Sequence, residues 1–282
     1  MDSAEVRRRI ASSPLARVAA FPARLGAVSR HNAAVASQSA RWLATRREHT
    51  NFTYDLTPLS LEHLAWWAAL VSGAPVQSCR SWIAEILGDR ALQEHAYRIS
   101  ISTGRRGLTD EKVRIARRAG WYAVVRAIQP EHVVETGTDK GLGSLVLAAA
   151  LLRNGKGSLT TMDINPDSGF LISDAYADVT RVQRGDSISL LSELTEPVDL
   201  FIHDSDHSAA HEAAEFRAVA SHLAPSAIVL SDNSHITGEL AAWAEATERT
   251  FAFFREEPKD HWYPGAGIGA AWYPARLGLG RA

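Results

Sequence analysis

The spacing of apolar residues changes twice along the chain. Residues 1 to about 50 are rich in Ala, Ser and Arg, with Asp2, Glu5 and Glu48 as the few acids. They are expected to form an arm or surface helices; the sharper readings are an assembly arm or a basic flap over an anionic substrate. Asn51–Leu56, N-F-T-Y-D-L, sets two aromatics among polar residues just before Pro58 and reads as an ordered turn. A helical period follows. Ser60 is read as the cap of a helix with Glu62 in its first turn and with Leu61, Leu64, Trp67, Leu70 and Val71 on its apolar face. Further helices are expected over Ser81–Leu87 and Ala91–Tyr97. Phe52, Tyr54, Trp66 and Trp67 are assigned to packing rather than to a ligand site. A longer helix is predicted from the cap Thr109, with Asp110 and Glu111 in its first turn, up to Pro130. Its buried stripe would be Val113, Ala116, Ala119 or Gly120, Tyr122, Ala123 and Ile128.

From His132 the pattern becomes short apolar runs alternating with helical stretches. Strands are expected at His132–Thr136, Leu159–Met162, Val179–Gln183, Val198–His203 and Ala227–Ser231, with a closing pair at Phe251–Phe254 and Ile268–Tyr273. The intervening helices are expected at Ser144–Asn154, near Phe170–Ala177, and over Ile188–Leu194, Ala209–Leu223 and Gly238–Thr247. Such alternation with short links predicts an α/β fold, a mostly parallel sheet with helices on both faces.

Composition narrows the class without changing this picture. A chain of 282 residues fits one large domain, or one domain with an appendage. The net charge of -2 makes no case for nucleic acid, and the sequence has no basic aromatic stripe and no N-P-P-Y motif. Cys79 is the only cysteine, which excludes an internal disulfide and a cysteine-rich zinc site. No apolar run approaches the ~20 residues that span a bilayer. The patch Val18–Val28 is broken by Pro22 and Arg24, a poor signal peptide, and the expected location is cytoplasmic.

The stretch with the most chemistry is H-V-V-E-T-G-T-D-K-G-L-G-S, His132–Ser144. A strand, a glycine-rich turn and a helix start let backbone N–H groups approach a ligand. The spacing is E-x-G-x-x-x-G-x-G; a dinucleotide fingerprint starting at Gly141 would put Val146 where its third glycine belongs. The stretch resembles motif I of class I S-adenosylmethionine (SAM) methyltransferases. The resemblance covers roughly Thr109–Tyr273 and implies a Rossmann-like seven-stranded sheet with a C-terminal hairpin, preceded by a helical region. Residues 1–108 would then be an N-terminal arm and a helical lid or assembly region, and residues 109–282 the catalytic domain. It also implies SAM as cofactor, held by Glu135, Gly137, Thr138, Gly141, Gly143 and Ser144. Asp163, ending the second strand, would take the ribose hydroxyls, and Asp186 with Ser187 would face the adenine.

Acids stand at the C-terminal ends of the first, second, fourth and fifth strands, where open α/β sheets bind ligands. Two neighbouring runs, Val198–Ser208 (V-D-L-F-I-H-D-S-D-H-S) and Val229–Asn233 (V-L-S-D-N), present Asp204, Asp206, His207, Asp232 and Asn233. These can supply hard oxygen ligands to an octahedral cation. The D-N pair is similar to divalent-metal O-methyltransferases of the catechol type, and the D-S-D-H run to natural-product enzymes of the macrocin type that methylate sugar hydroxyls. The resemblance implies Mg2+ or Mn2+ on Asp204, Asp232 and Asn233, with His207 as general base. Strand alternation turns His203 away from Asp204, and Asp206 is either a ligand or a helix cap. The expected activity is methylation of a small-molecule hydroxyl, on a sugar or polyketide, by a homo-oligomer. The other readings are a metal-independent methyltransferase, an NAD-linked oxidoreductase and a SAM-binding protein without turnover. Specificity is expected in the helical preface and the loop Glu257–Gly265.

Overall fold

A computed structural model describes residues 5, 15–47, 53–104, 110 and 112–274. Asp2, Glu48, Asn51, Phe52, the expected cap Thr109 and Glu111 lie outside the described residues. The chain divides into two compact units, residues 1–46 with 260–263 and residues 47–259 with 264–282. In the first, α1 (Leu15–Ala19) leads into α2 (Phe21–Thr45), a helix of 25 residues with none buried. Within this unit Trp42 meets His261 and Trp262 edge-on, at 6.3 and 5.6 Å between ring centres.

The second unit opens with three helices, α3 (Pro58–Ser72), α4 (Val76–Leu87) and α5 (Arg90–Ser102). The cap of α3 is Thr57, not Ser60. Its hydroxyl accepts the Ser60 N–H at 3.2 Å, Pro58 fills the first turn, and Gly73 at φ 73° ends the helix. Ser60 instead accepts the Glu257 N–H at 3.0 Å. The buried face of α3 is Leu64, Ala65, Trp67, Ala68 and Val71, while Leu70 and Trp66 are exposed. Trp66 lies under the Arg80 guanidinium and is exposed, whereas Tyr54 and Trp67 of the expected packing group are buried.

The helix expected from Thr109 begins only at Arg118, as α6 (Arg118–Ile128). Residues 112–117 are turns and extended chain, and Ala116 takes φ 46°, outside the right-handed helical region. The cause is tertiary. The break is at Ala116; Arg117 and Arg118 after it have right-handed backbone, and their side chains are drawn to the carboxylates of Asp232, Glu256 and Asp204, far along the chain.

The sheet contains β1 (His132–Thr136), β2 (Ser158–Asp163), β3 (Thr180–Arg184), β4 (Val198–His203), β5 (Leu223–Asp232), β6 (Thr250–Arg255) and β7 (Gly267–Trp272). Their order is β3-β2-β1-β4-β5-β7-β6, with β1 to β5 parallel and β7 antiparallel to both neighbours. This is the seven-stranded arrangement with a closing hairpin that the resemblance implied. Between the strands run α7 (Leu142–Asn154), α8 (Ala175–Asp178), α9 (Ser187–Ser192), α10 (Ala209–Val219) and α11 (Glu239–Ala246). Val134, Met162, Phe201, Phe216, Val219 and Val229 form the core on one face of the sheet. Strand order reverses between β1 and β4, which opens the crevice where such sheets bind ligands.

Candidate functional site

A cavity of about 400 Å³ opens at this reversal, lined by Gly137, Asp139, Asp163, Asp186, Ser187, Asp204, Ser205 and His211 among others. Gly137 takes φ 88°, and a Cβ there would overlap the Asp204 carbonyl, so only glycine lets the ends of β1 and β4 come this close. Asp163 accepts the Asp139 and Asn165 N–H groups at 2.7 and 2.8 Å, which fixes its carboxylate at the cavity edge. Asp186 caps α9 through Ser189 and still lines the cavity; these bonds hold its carboxyl below the usual carboxylate range.

The other glycine-turn residues stand behind the cavity wall. Ser144 and Thr161 both donate to Glu135, the latter at 2.7 Å, and Thr138 reaches Thr161 at 2.7 Å. Burial pushes the Glu135 carboxyl up to about 7, only partly offset by these donors. Gly143 is required because a Cβ there would overlap Glu135 Oε1. Gly141, at φ 93°, is the residue before α7 and lies beside Ile172. The loop after β2 folds back here, with the Gly169 and Leu171 N–H groups donating to the carbonyls of Asp139 and Lys140 at 2.7 and 3.0 Å. The helix expected near Phe170–Ala177 therefore shrinks to α8, since those backbone groups are already committed to the glycine turn.

At the Asp204 end of the cavity the carboxylates converge. Asp204, His207 and Asp232 each offer a ligand atom within 4.8 Å of the others. Asn233, at φ 55°, turns its amide to His207 Nε2 at 2.9 Å. Two arginines with no motif around them complete the cluster. Arg117 forks Asp232, binds Glu256 at 2.9 Å and reaches Asn233 Oδ1 at 3.4 Å. Arg118 reaches Asp204 at 3.3 Å. Burial opposes the charge on Asp232, but Arg117 outweighs it and holds the carboxyl well below the usual range. Burial and the Asp232 charge push the Asp204 carboxyl the other way, above the usual carboxylate range. Burial also lowers His207 below the usual histidine range, which keeps the ring neutral near pH 7. Tyr54 donates to Glu256, which ties the described chain just before α3 to the same cluster.

His203 binds a second network through Glu215, and its ring also meets that of His207 edge-on, at 5.4 Å between centres. Glu215, fully buried, accepts from His203 at 2.6 Å, Thr136 and Ser205 at 2.7 Å each, His211 at 3.0 Å, and Ser187. Burial works against its charge, but the His203 bond and the hydroxyls bring the carboxyl down to about 2. Ser187 is thus committed to Glu215 as well as lining the cavity. Asp206 is exposed, accepts the Ser208 N–H at 2.9 Å and stays outside the cluster. Sequence reasoning missed Arg117, Arg118, His211 and Glu215. The one available signal was acids and bases recurring at i, i+4 in H-E-A-A-E, which also describes a solvated helix face.

Comparison with known proteins follows the same lines. Residues 134–234 match a family described as a methyltransferase domain. No curated protein matches the sequence. Among solved structures, the O-methyltransferase of Bacillus cereus in complex with SAH is similar at a TM-score of 0.54 and 16% identity, over 70% of this chain and 100% of that one. The O-methyltransferase TomG of Streptomyces achromogenes, involved in tomaymycin synthesis and solved with SAM, gives 0.51 and 18%, over 66% and 91%. The SAH-bound Podospora anserina methyltransferase PaMTH1 gives 0.50 and 13%, over 80% and 100%. At such identities the likeness is one of fold. The chain has the Rossmann-like class I methyltransferase fold, and its residues 134–234, from β1 to the turn after β5, match the methyltransferase-domain family.

Proposed function

We propose that the protein is a SAM-dependent O-methyltransferase acting on a hydroxyl of a small molecule. The observation that carries this reading is the cavity at the strand-order reversal, which runs from Asp163 and Asp186 to a buried acidic pair with a neutral histidine beside it. SAM is the methyl donor. Its adenosine would lie against Asp163 and Asp186, with Gly137 on the path between them and Asp204. A methyl group passes from the sulfonium to the acceptor oxygen, leaving S-adenosylhomocysteine, and the hydroxyl proton must go to a base. His207 is that base. Burial keeps it unprotonated, and the Asn233 amide holds its orientation.

The donor set fits a hard divalent cation, Mg2+ or Mn2+, on Asp204, Asp232 and Asn233, because two carboxylates whose ligand atoms lie within 4.8 Å and an amide oxygen beside them are the hard oxygen donors such a cation takes. A cation bound there supplies the charge that lowers the acceptor's pKa and fixes its oxygen. A second reading, metal-independent transfer, is favoured by Arg117 and Arg118, which already bring two positive charges to the same carboxylates. EDTA separates the two. Under the metal reading it abolishes methyl transfer, Mg2+ or Mn2+ restores it, and S-adenosylhomocysteine binding measured by calorimetry is unchanged. Full turnover in EDTA would establish the second reading. In either case His207→Ala should lower kcat by roughly 10²–10⁴-fold with cofactor affinity preserved. A rate close to wild type would place the base elsewhere.

The acceptor is read as a natural-product sugar or polyketide, on the D-S-D-H run at Asp204–His207 and on the fold likeness to TomG with its role in tomaymycin synthesis. Residues 1–108 are read as an arm and lid on a catalytic domain of residues 109–282, and the enzyme as a cytoplasmic homo-oligomer. What supports assembly is α2, long and without a buried residue. No described helix is long and apolar enough to cross a membrane.

A further inference from the structure

Arg118 is a buried guanidinium with most of its hydrogen-bonding capacity unspent. It is 7% exposed. A guanidinium carries five N–H donors, and the one bond Arg118 makes is from Nη2 to Asp204 Oδ2, at 3.3 Å. Its Nε is fully covered and has no partner. The same is true of Trp121 Nε1, one helical turn further along α6, on whose ring the guanidinium stacks at 5.4 Å. A charged donor left unsatisfied in the interior is costly, far more so than an unpaired neutral group.

Its position indicates what is missing. Nε lies 3.6 Å from where a Cβ on Gly143 would sit, and Nη2 faces Asp204, so the group bridges the start of α7 and the end of β4. The cavity has Asp163, Gly185 and Asp186 at one end and Gly137, Asp204 and Ser205 at the other. Acids at the first end suit ribose hydroxyls and an exocyclic amine. A donor whose adenosine sat there would bring its amino-acid end toward Asp204, the lining residue that Arg118 contacts from behind. That end carries a carboxylate, the planar anion a guanidinium binds through two parallel bonds.

We propose that Arg118 binds the α-carboxylate of the methyl donor's methionine moiety, and so aims the sulfonium at the Asp204–His207 end of the site. The proposal rests on the methyl-donor reading above. Loading the carboxylate also offers Arg118 a second partner besides Asp204, which links donor binding to the acidic pair.

The test compares two ligands by calorimetry, S-adenosylhomocysteine and 5′-methylthioadenosine, which shares the adenosine and sulfur but lacks the amino acid. Arg118→Met should weaken S-adenosylhomocysteine roughly 10- to 100-fold, the scale of a lost charge-assisted bond, and leave methylthioadenosine within about twofold. Arg118→Lys, which keeps the charge and loses the fork, should fall between and keep the same ligand dependence. Should Arg118→Met fail to fold, the lysine variant decides alone. An equal loss for both ligands would make Arg118 a structural counter-charge and overturn the proposal, as would unchanged S-adenosylhomocysteine affinity. Wild-type protein that binds neither ligand would sink the donor reading itself, an outcome distinct from a variant-specific result.

Discussion

Glu135 shows how burial sets the properties of a single side chain. Its carboxyl, pushed up to about 7, favours the protonated form in the folded state relative to an ordinary value of 4.5. Its contribution to stability is therefore present in full below about pH 4.5 and is lost as pH rises through about 7. Glu135→Gln should remove that part of the pH dependence, so the melting temperature of the variant should fall less than that of wild type between pH 5 and 8. Parallel curves would show that Glu135 is not held protonated. Gly137 and Gly155 make a second contrast at this scale, since both have positive φ. Gly155 has open space around it, so Gly155→Ala should cost only the left-handed backbone penalty of about 1–2 kcal/mol. Gly137→Ala meets the Asp204 carbonyl and should either separate β1 from β4 or abolish S-adenosylhomocysteine binding. Equal melting temperatures and equal binding for the two variants would contradict the close approach.

At the scale of elements, the strands were legible and the connections less so. β1 and β4 run where the apolar runs predicted, because a strand buried on both faces reads as a continuous hydrophobic stretch. β5 is longer than its apolar run. It continues back to Leu223 across a register shift against β4, so pairing with a neighbour carries it through Pro225 and Ser226. The largest difference lies just before α6, where Ala116 breaks the predicted helix and Arg117 joins Asp232 and Glu256. Arg117→Met would strand two buried carboxylates, and removing one member of such a group costs about 3–5 kcal/mol. Urea unfolding should show a loss of this size, together with a weaker tie of the chain just before α3 through Tyr54. A loss below about 1 kcal/mol would mean that solvent reaches the cluster and screens it.

At the scale of the whole molecule, every strand of the sheet belongs to the larger compact unit. In the smaller one, α2 exposes Phe21, Leu25 and Val28 at helical spacing. Deleting residues 1–46 should leave the melting temperature of the sheet within a few degrees of wild type and lower the number of chains per particle, from light scattering divided by the chain mass. An unchanged number of chains with unchanged acceptor affinity would remove the arm from both assembly and lid closure.

The sequence alone determined the order and type of the core elements, through hydrophobic period and turn chemistry, and it marked the strand ends where acids gather. Those are local properties, carried by neighbours within a few positions of each residue. It also placed Asp204, His207, Asp232 and Asn233 in two short runs, and the parallel pairing of β4 with β5 brings those runs side by side. Only the tertiary structure decided which charges those residues meet. Arg117 and Asp232 are 115 positions apart, and Arg118 and Asp204 are 86 apart. No periodicity spans such distances, because the contacts form only when the start of α6 packs against the ends of β4 and β5. The same holds for Glu215, which reads as a surface acid on a helix and becomes a buried acceptor once α10 packs against β4.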